Sequence, residues 1–130
     1  METIKSKFKR ASPYKDDKMN LPVKDVDSAI PFYEKYMGFQ LVSKQNEPVK
    51  KAILERDEVQ MAIAENGGDP TQEGCFFEVD DVENALNEFR SYGLKKEASD
   101  IDIQKHGETT WRVFFVVAPD GLCYCMGQKV

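Results

Sequence analysis

An internal repeat is the feature of this 130-residue chain that most limits how it can fold. Residues 23–33 return 56 positions later, without a gap, as residues 79–89, and seven of the eleven paired positions are identical or chemically close. Asp25 or Asp27 in the first copy and Asp81 in the second precede apolar residues at helical spacing, so each copy predicts a capped helix. The chain is therefore expected to consist of two similar modules.

The segments around the two helices predict strands in the same order in each module. Gly38 and Gly93 are placed to end the helices in a left-handed conformation. A strand of uncertain extent is expected from Leu94, and a long polar loop at 97–109. The other predicted strands lie at about 18–23, 39–43, 49–55, 59–64, 75–79, 110–117 and 122–126.

Length and turn composition indicate one structural domain of the α+β class, in which two curved sheets lie side by side as a cup. Its parts are expected to be an N-terminal arm at 1–17, a first module at 18–65, a linker at 66–74 and a second module at 75–130.

Charge and hydropathy argue against several classes of partner. The formal net charge is −5, which argues against nucleic acid, because neutralising phosphates needs clustered lysines and arginines. The one basic cluster, at 5–10, is expected to be a solvated part of the arm. No membrane partner is expected, since no apolar run is long enough to span a bilayer and no secretory signal is visible. Three cysteines without an export signal predict free thiols in the cytoplasm.

Motifs at both ends of the repeat resemble one known family. Leu21-Pro-Val-Lys-Asp25, Phe32-Tyr33 and Gly38-Phe39 are similar to the opening of the glyoxalase, bleomycin-resistance and extradiol-dioxygenase group, the vicinal-oxygen-chelate superfamily. Pro119-Asp-Gly121 is similar to its closing motif, so the resemblance covers about residues 18–127. It implies paired βαβββ modules, a cupped mixed sheet of eight strands with the helices on the convex side, and commonly a homodimer. It implies no single reaction, because one fold hosts many.

The metal enzymes of that family hold their ion at four positions, two in each module. The resemblance places these positions at Lys18, Gln60, Gly74 and Cys125 of this chain. Lysine repels a cation, glycine has no side chain to offer, and an amide with one thiol is not a ligand set for a divalent metal. No metal and no cofactor are therefore expected.

Strand alternation predicts what lines the cup instead. If Val23 and Val79 face the helices, the alternate residues of the first and last strands face the cup, and either Trp111 or Arg112 joins them. Such a mixture of small, aromatic and amide side chains with one carboxylate suits a small organic ligand, although core packing explains Phe76 and Trp111 equally well. The predicted ligand-binding residues are Asn20, Gln60, Ala62, Phe76, Glu78, Trp111, Arg112, Cys123 and Cys125.

Three kinds of side chain among these candidates have more than one interpretation. Glu78 either pairs with a cationic ligand or is a rim residue paired with a lysine. The three cysteines are interpreted as small buried residues rather than a soft-metal or thiol-reactive site, because two thiols on one face are too few for zinc and no base is placed beside them. His106, the only histidine, lies in the predicted loop and is expected to be exposed.

Three functions from different classes fit these observations. The sequence favours a metal-independent small-molecule binding protein with the ligand held in the cup. The alternative is an enzyme of the lyase, isomerase or dioxygenase type, with atypical metal ligands or with Glu78 as general base. A dimeric interaction domain with a filled cup is the third. Metal analysis separates the first two, since an ion held in the cup rules out the binding protein.

Overall fold

The computed structural model of the chain describes residues 6–13, 17–95 and 100–130. These residues form two helices, one short 3-10 turn (Pro70–Gln72) and nine strands arranged in two sheets. In chain order the helices and strands are β1 (Phe8–Pro13), β2 (Leu21–Pro22), α1 (Val26–Tyr36), β3 (Gln40–Gln45), β4 (Lys51–Arg56), β5 (Val59–Ala64), β6 (Gly74–Val79), α2 (Val82–Ser91), β7 (Asp102–His106), β8 (Thr109–Val117) and β9 (Cys123–Lys129).

Each module builds its sheet in the same way. In the first module β2 pairs in parallel with β5, and β4 and β3 follow in antiparallel order. In the second module β6 pairs in parallel with β9, and β8 and β7 follow in antiparallel order. The repeat in the sequence is therefore a repeat of the strand pairing, and the predicted α+β fold of two βαβββ modules is confirmed.

Strand β1 was not predicted, and the described residues form nine strands where eight were expected. It lies in the predicted N-terminal arm and pairs antiparallel with β6, which gives the second module a five-stranded sheet. Phe8 is fully buried and its ring packs against those of Phe39, Phe77 and Phe89. The sequence conceals this strand because its one large apolar residue stands among exposed basic residues at a sheet edge. Residues 1–5 and 14–16 of the predicted arm lie outside the described residues.

Two further predicted boundaries differ from the structure. The strand expected at 18–23 is reduced to Leu21–Pro22, and the loop expected at 97–109 contains β7. The side chains of β7 are polar except for Ile103, and the strand is mostly exposed at the other edge of the five-stranded sheet. An exposed edge strand has no buried face, so it lacks the apolar alternation by which a strand is recognised. Residues 97–99 of the expected loop, and residue 96 before it, are not among those described.

Both helices begin at the aspartates that the repeat pairs. Asp25 accepts the backbone N–H of Ser28 at 3.3 Å, and Asp81 accepts that of Asn84 at 3.1 Å. Each carboxylate thus satisfies an N–H that has no partner inside the helix. After α1, Gly38 adopts a φ of 70°, the left-handed conformation predicted for it. Neither helix of the described chain is long and apolar enough to cross a membrane.

Helix α2 covers one face of the five-stranded sheet. The ring of Phe89 on α2 packs edge-on against Phe114 of β8, with 5.9 Å between the ring centroids. Since side chains alternate along a strand, the neighbours of Phe114 project to the opposite face. That opposite face, which we call the open face, has no helix of its own module over it and carries the site described next.

Candidate functional site

A cavity of about 680 Å³ lies on the open face of the five-stranded sheet. All five strands contribute to it, and its volume falls within the range of small-molecule sites. A cavity beside α1 and the β8–β9 turn (180 Å³) and one beside Arg56 (270 Å³) are smaller. The lining of the large cavity combines aromatic, polar and charged side chains: Arg10, Ser12, Phe76, Glu78, Gln104, His106, Thr109, Trp111, Phe115 and Cys125.

The register of the strands explains why these side chains converge. Residues two apart on a strand share a face, so Phe76 and Glu78 on β6 project to the same side as Trp111 and Phe115 on β8. Phe76 lies opposite Cys125 on β9, and Cys125 lies opposite Phe115. One row of side chains therefore crosses three neighbouring strands and forms the floor of the cavity.

An aromatic pair forms part of the apolar surface of the cavity. The rings of Phe76 and Trp111 meet edge to face, with their centroids 5.1 Å apart and an interplanar angle of 83°, the arrangement that aromatic quadrupoles favour. Gly127 on β9 makes this contact feasible, because a Cβ at that position would lie 2.6 Å from the ring of Phe76. The ring centroids of His106 and Trp111 are 6.5 Å apart. Nε2 of His106 is 3.0 Å from Oε1 of Gln104.

One ion pair supplies the charge in the cavity. Nε of Arg10 on β1 lies 2.9 Å from Oε1 of Glu78, directly across the strand pair. The two side chains differ in their environment: Glu78 is 11% exposed and Arg10 is 71% exposed. The carboxylate is thus buried in the wall of the cavity, whereas the guanidinium that neutralises it reaches into solvent.

Burial favours the neutral thiol form of Cys75 and Cys125. Burial raises the pKa of Cys125 to about 12, and the neighbouring Cys123 adds to the rise. Burial also raises the pKa of Cys75 to about 12, on the other face of the sheet. Since the thiolate is the nucleophile and the metal ligand, Cys125 acts in this cavity as a small apolar surface. The cysteines are free, as the sequence predicted.

The structure brings part of the predicted ligand-binding set together. Trp111 faces the cavity, whereas Arg112, the other candidate at that point of β8, forms an ion pair with Glu83 on α2. Glu78 has a partner within the protein, as one of its two interpretations required, but the partner is an arginine and the carboxylate is not at the rim. The predicted residues that line the cavity are Phe76, Glu78, Trp111 and Cys125.

The other predicted residues do not line this cavity. The amide of Asn20 bonds to Asp17, and Nε2 of Gln60 donates to Glu55 at 3.1 Å. Ala62 is fully buried, and Cys123 lies at the start of β9, outside the cavity lining. For Asn20, Gln60 and Ala62 the physical reason is that they belong to the first module, which forms a separate sheet, whereas Cys123 is on the cavity's own sheet but at the start of β9, beyond the lining. A ligand-binding role for these residues stays a prediction.

Several lining residues were missed by the sequence analysis. Arg10 and Ser12 belong to β1, and Gln104 and His106 belong to β7, the two edge strands that have no visible alternation. Phe115 was predictable from the sequence, because it stands four residues after Trp111 on the same predicted strand and so shares its face. The signal for Phe115 is the alternation along β8, because any assignment of Trp111 to the cavity also assigns Phe115 to it.

The positions at which the family's metal enzymes hold their ion do not converge on the cavity. Cys125 lines it, but Lys18, Gln60 and Gly74 do not. Among the described residues, no three histidine, cysteine, aspartate or glutamate side chains are close enough to hold a metal ion together. A protonated thiol, an amide, an ammonium group and a glycine do not fit a divalent metal. The absence of a metal in the working protein stays a prediction.

Comparison with known proteins agrees with the geometry. The family model for the glyoxalase/bleomycin resistance protein/dioxygenase superfamily matches residues 17–122. Comparison with curated protein sequences gave no match.

Solved structures with the same fold are similar over nearly the whole chain. A virulence protein from Salmonella typhimurium is 19% identical, with 89% of this chain and 97% of that chain covered and a TM-score of 0.67. A bleomycin resistance determinant encoded on the transposon Tn5 is 25% identical, with 88% and 97% covered and a TM-score of 0.63. A bleomycin-binding protein complexed with bleomycin is 24% identical, with 88% and 98% covered and a TM-score of 0.62.

The family match extends over most of the chain, and the strand pairing of both modules is the arrangement that the motifs led us to expect. The chain belongs to the glyoxalase/bleomycin resistance protein/dioxygenase superfamily.

Proposed function

We propose that this protein binds a small organic molecule in the cavity of the five-stranded sheet and does so without a metal ion. The observation that carries the proposal is the cavity itself, about 680 Å³ in volume, with an edge-to-face aromatic pair and a few placed polar groups. Mostly apolar walls with a small number of polar groups are typical of ligand sites. The ligand is expected to lie against Phe76 and Trp111.

The comparisons support binding as the activity. A superfamily structure with a similar fold is a bleomycin-binding protein in complex with bleomycin. Metal independence is supported by the residues at the family's ligand positions, which lack carboxylate and imidazole groups. The resemblance also leads us to expect a homodimer, and free cysteines fit a reducing compartment such as the cytoplasm.

A neutral aromatic probe tests the proposal directly. Lepidine, a methylquinoline that is uncharged at about pH 8, has two fused rings of a size that suits the cavity. We expect isothermal titration calorimetry to show one site per chain, unaffected by EDTA. Trp111 is the only tryptophan of the sequence, so its fluorescence is a second readout from within the site.

Matched phenylalanine variants locate that site. Phe76→Leu removes the ring that meets Trp111 and should weaken lepidine binding about twofold to tenfold, because an aromatic contact contributes roughly 0.5–1.5 kcal/mol. Phe32→Leu is the control, since Phe32 packs against Tyr36 on α1, away from the cavity. Failure of the wild-type protein to bind lepidine, or equal affinities of the two variants, would refute the proposed site.

A further inference from the structure

We propose that the cavity selects aromatic organic cations and that Arg10 is a built-in counter-ion which such a ligand replaces at Glu78. The inference rests on the proposed function, because it concerns the same cavity, and it names the chemical class of the ligand. It follows from three observations: the unequal burial of the ion pair, the attachment of β1, and the aromatic surface beside the carboxylate.

Glu78 is a carboxylate that requires a positive partner. Its side chain is 11% exposed, and its strand neighbour on the same face is Phe76. Gly127, its partner on β9, has no side chain to offer. A buried carboxylate without a partner is strongly destabilising, since its hydration is lost without compensation. A cation beside Glu78 therefore stabilises the ionised carboxylate in every state of the cavity.

Arg10 is a cation that leaves easily. Its side chain is 71% exposed, and its Nε lies 2.9 Å from Oε1 of Glu78. The guanidinium itself loses little when the pair opens, because an exposed cation is hydrated almost as well when it is free. The exposed arginine therefore loses little by swinging into solvent, provided that another cation replaces it.

The strand that carries Arg10 does not have to leave the sheet for this exchange. Phe8 anchors β1 in the core, and its backbone N–H donates to Asp57 at 3.0 Å. The N–H of Lys7 donates to Asp80 at 2.8 Å. The register of β1 against β6 shifts between Phe8 and Arg10, so Arg10 lies beyond an irregularity of the strand. Only the arginine side chain needs to move.

An incoming aromatic cation can contact the aromatic surface of the cavity as well as the carboxylate of Glu78. The same cavity presents the rings of Phe76 and Trp111, on which a cation is attracted by the negative ring face and a flat ring buries apolar area. A neutral ligand gains the apolar contact but leaves the ion pair in place. An anion is repelled by the buried carboxylate of Glu78. The geometry therefore ranks aromatic cations above neutral aromatics of equal size and ranks anions last.

Two probes of equal size measure the exchange. N-methylquinolinium carries a permanent positive charge, and lepidine has the same number of non-hydrogen atoms without it. Arg10→Gln removes the competing cation, so the affinity for N-methylquinolinium in calorimetry should rise about fivefold, while the affinity for lepidine stays within about twofold. Glu78→Gln should weaken N-methylquinolinium about tenfold and have little effect on lepidine.

Arg112→Gln is the matched control. Arg112 lies on the same sheet and forms an ion pair with Glu83, but on the α2 side, so its loss should change neither affinity. If Arg10→Gln leaves the affinity for N-methylquinolinium unchanged or lowers it, the exchange is refuted while lepidine binding still supports the proposed function. If lepidine fails to bind the wild-type protein, the proposed function falls, and the exchange falls with it.

Discussion

The buried ion pair between Arg56 and Glu88 gives the sharpest prediction for stability. Both terminal nitrogens of Arg56 donate to the carboxylate of Glu88, at 2.8 and 2.6 Å, and they also donate to the carbonyl oxygens of Met37 and Ser6. The side chains are only 6% and 1% exposed. The guanidinium carbon Cζ also lies over the ring of Phe8, 4.3 Å from the ring centroid. This pair joins β1, β4 and the ends of α1 and α2.

Replacement of Arg56 by methionine keeps much of the side-chain volume and removes the charge. The carboxylate of Glu88 then stays buried, with only the N–H of Ser6 and the hydroxyl of Tyr92 as donors within the described residues. Breaking a buried pair in this way costs about 3–5 kcal/mol, a large part of the roughly 5–15 kcal/mol that stabilises a typical domain. For a chain of this length the melting temperature should fall by about 10–20 °C.

Chemical denaturation followed by Trp111 fluorescence and circular dichroism measures the loss. Arg112→Met is the matched control, because its ion pair with Glu83 is exposed and contributes about 0–1 kcal/mol. The double variant Arg56→Met with Glu88→Leu should recover part of the stability, since no buried charge is left. If Arg56→Met loses no more stability than Arg112→Met, the buried pair does not hold these elements together and the reasoning is wrong.

Three further predictions concern the metal, the cavity wall and the thiols. EDTA should leave the melting temperature unchanged, and a clear fall would show a structural metal. Gly127→Ala places a Cβ 2.6 Å from the ring of Phe76, so the ring should move into the cavity, weaken lepidine binding in calorimetry and lower the free energy of unfolding by about 1–3 kcal/mol. Because the pKa of Cys75 and Cys125 rises from 9.0 to about 12, their thiolate fraction at about pH 8 falls roughly a thousandfold. Iodoacetamide should therefore modify these two thiols only after unfolding, and their rapid modification in the folded protein, located by peptide mass spectrometry, would contradict this.

The predictable part of the fold is the part that local chemistry determines. Asp25 and Asp81 cap the helices that the repeat predicted, and Gly38 has the expected left-handed φ. These features need only neighbours in sequence. The edge strands β1 and β7 were missed because their position is set by pairing with distant strands rather than by a pattern of their own.

In the candidate site, too, the features set by local sequence were predicted and those set by distant strands were not. Phe76 and Glu78 were placed on the correct face by strand parity alone. Arg10 was not, because its role depends on the pairing of β1 with β6, 68 residues further along the chain at Glu78. The pairing of Arg56 with Glu88 was likewise invisible, since it depends on how the two modules pack. Parity predicts which face a side chain occupies, but not which distant side chain it meets.

The two modules have the same strand pairing and the same helix capping, but only the second module has an additional strand, β1, at its sheet. The first N–H of α1 donates to Glu65 and that of α2 to Gln128, both at 3.0 Å, so the end of each module's last strand caps its own helix. The two modules differ at β1, which pairs with β6 of the second module. That strand places Arg10 beside Glu78 on the open face, and the repeat itself contains no counterpart of it. The duplication therefore accounts for the scaffold, and the strand outside the repeat accounts for the charge balance of the cavity.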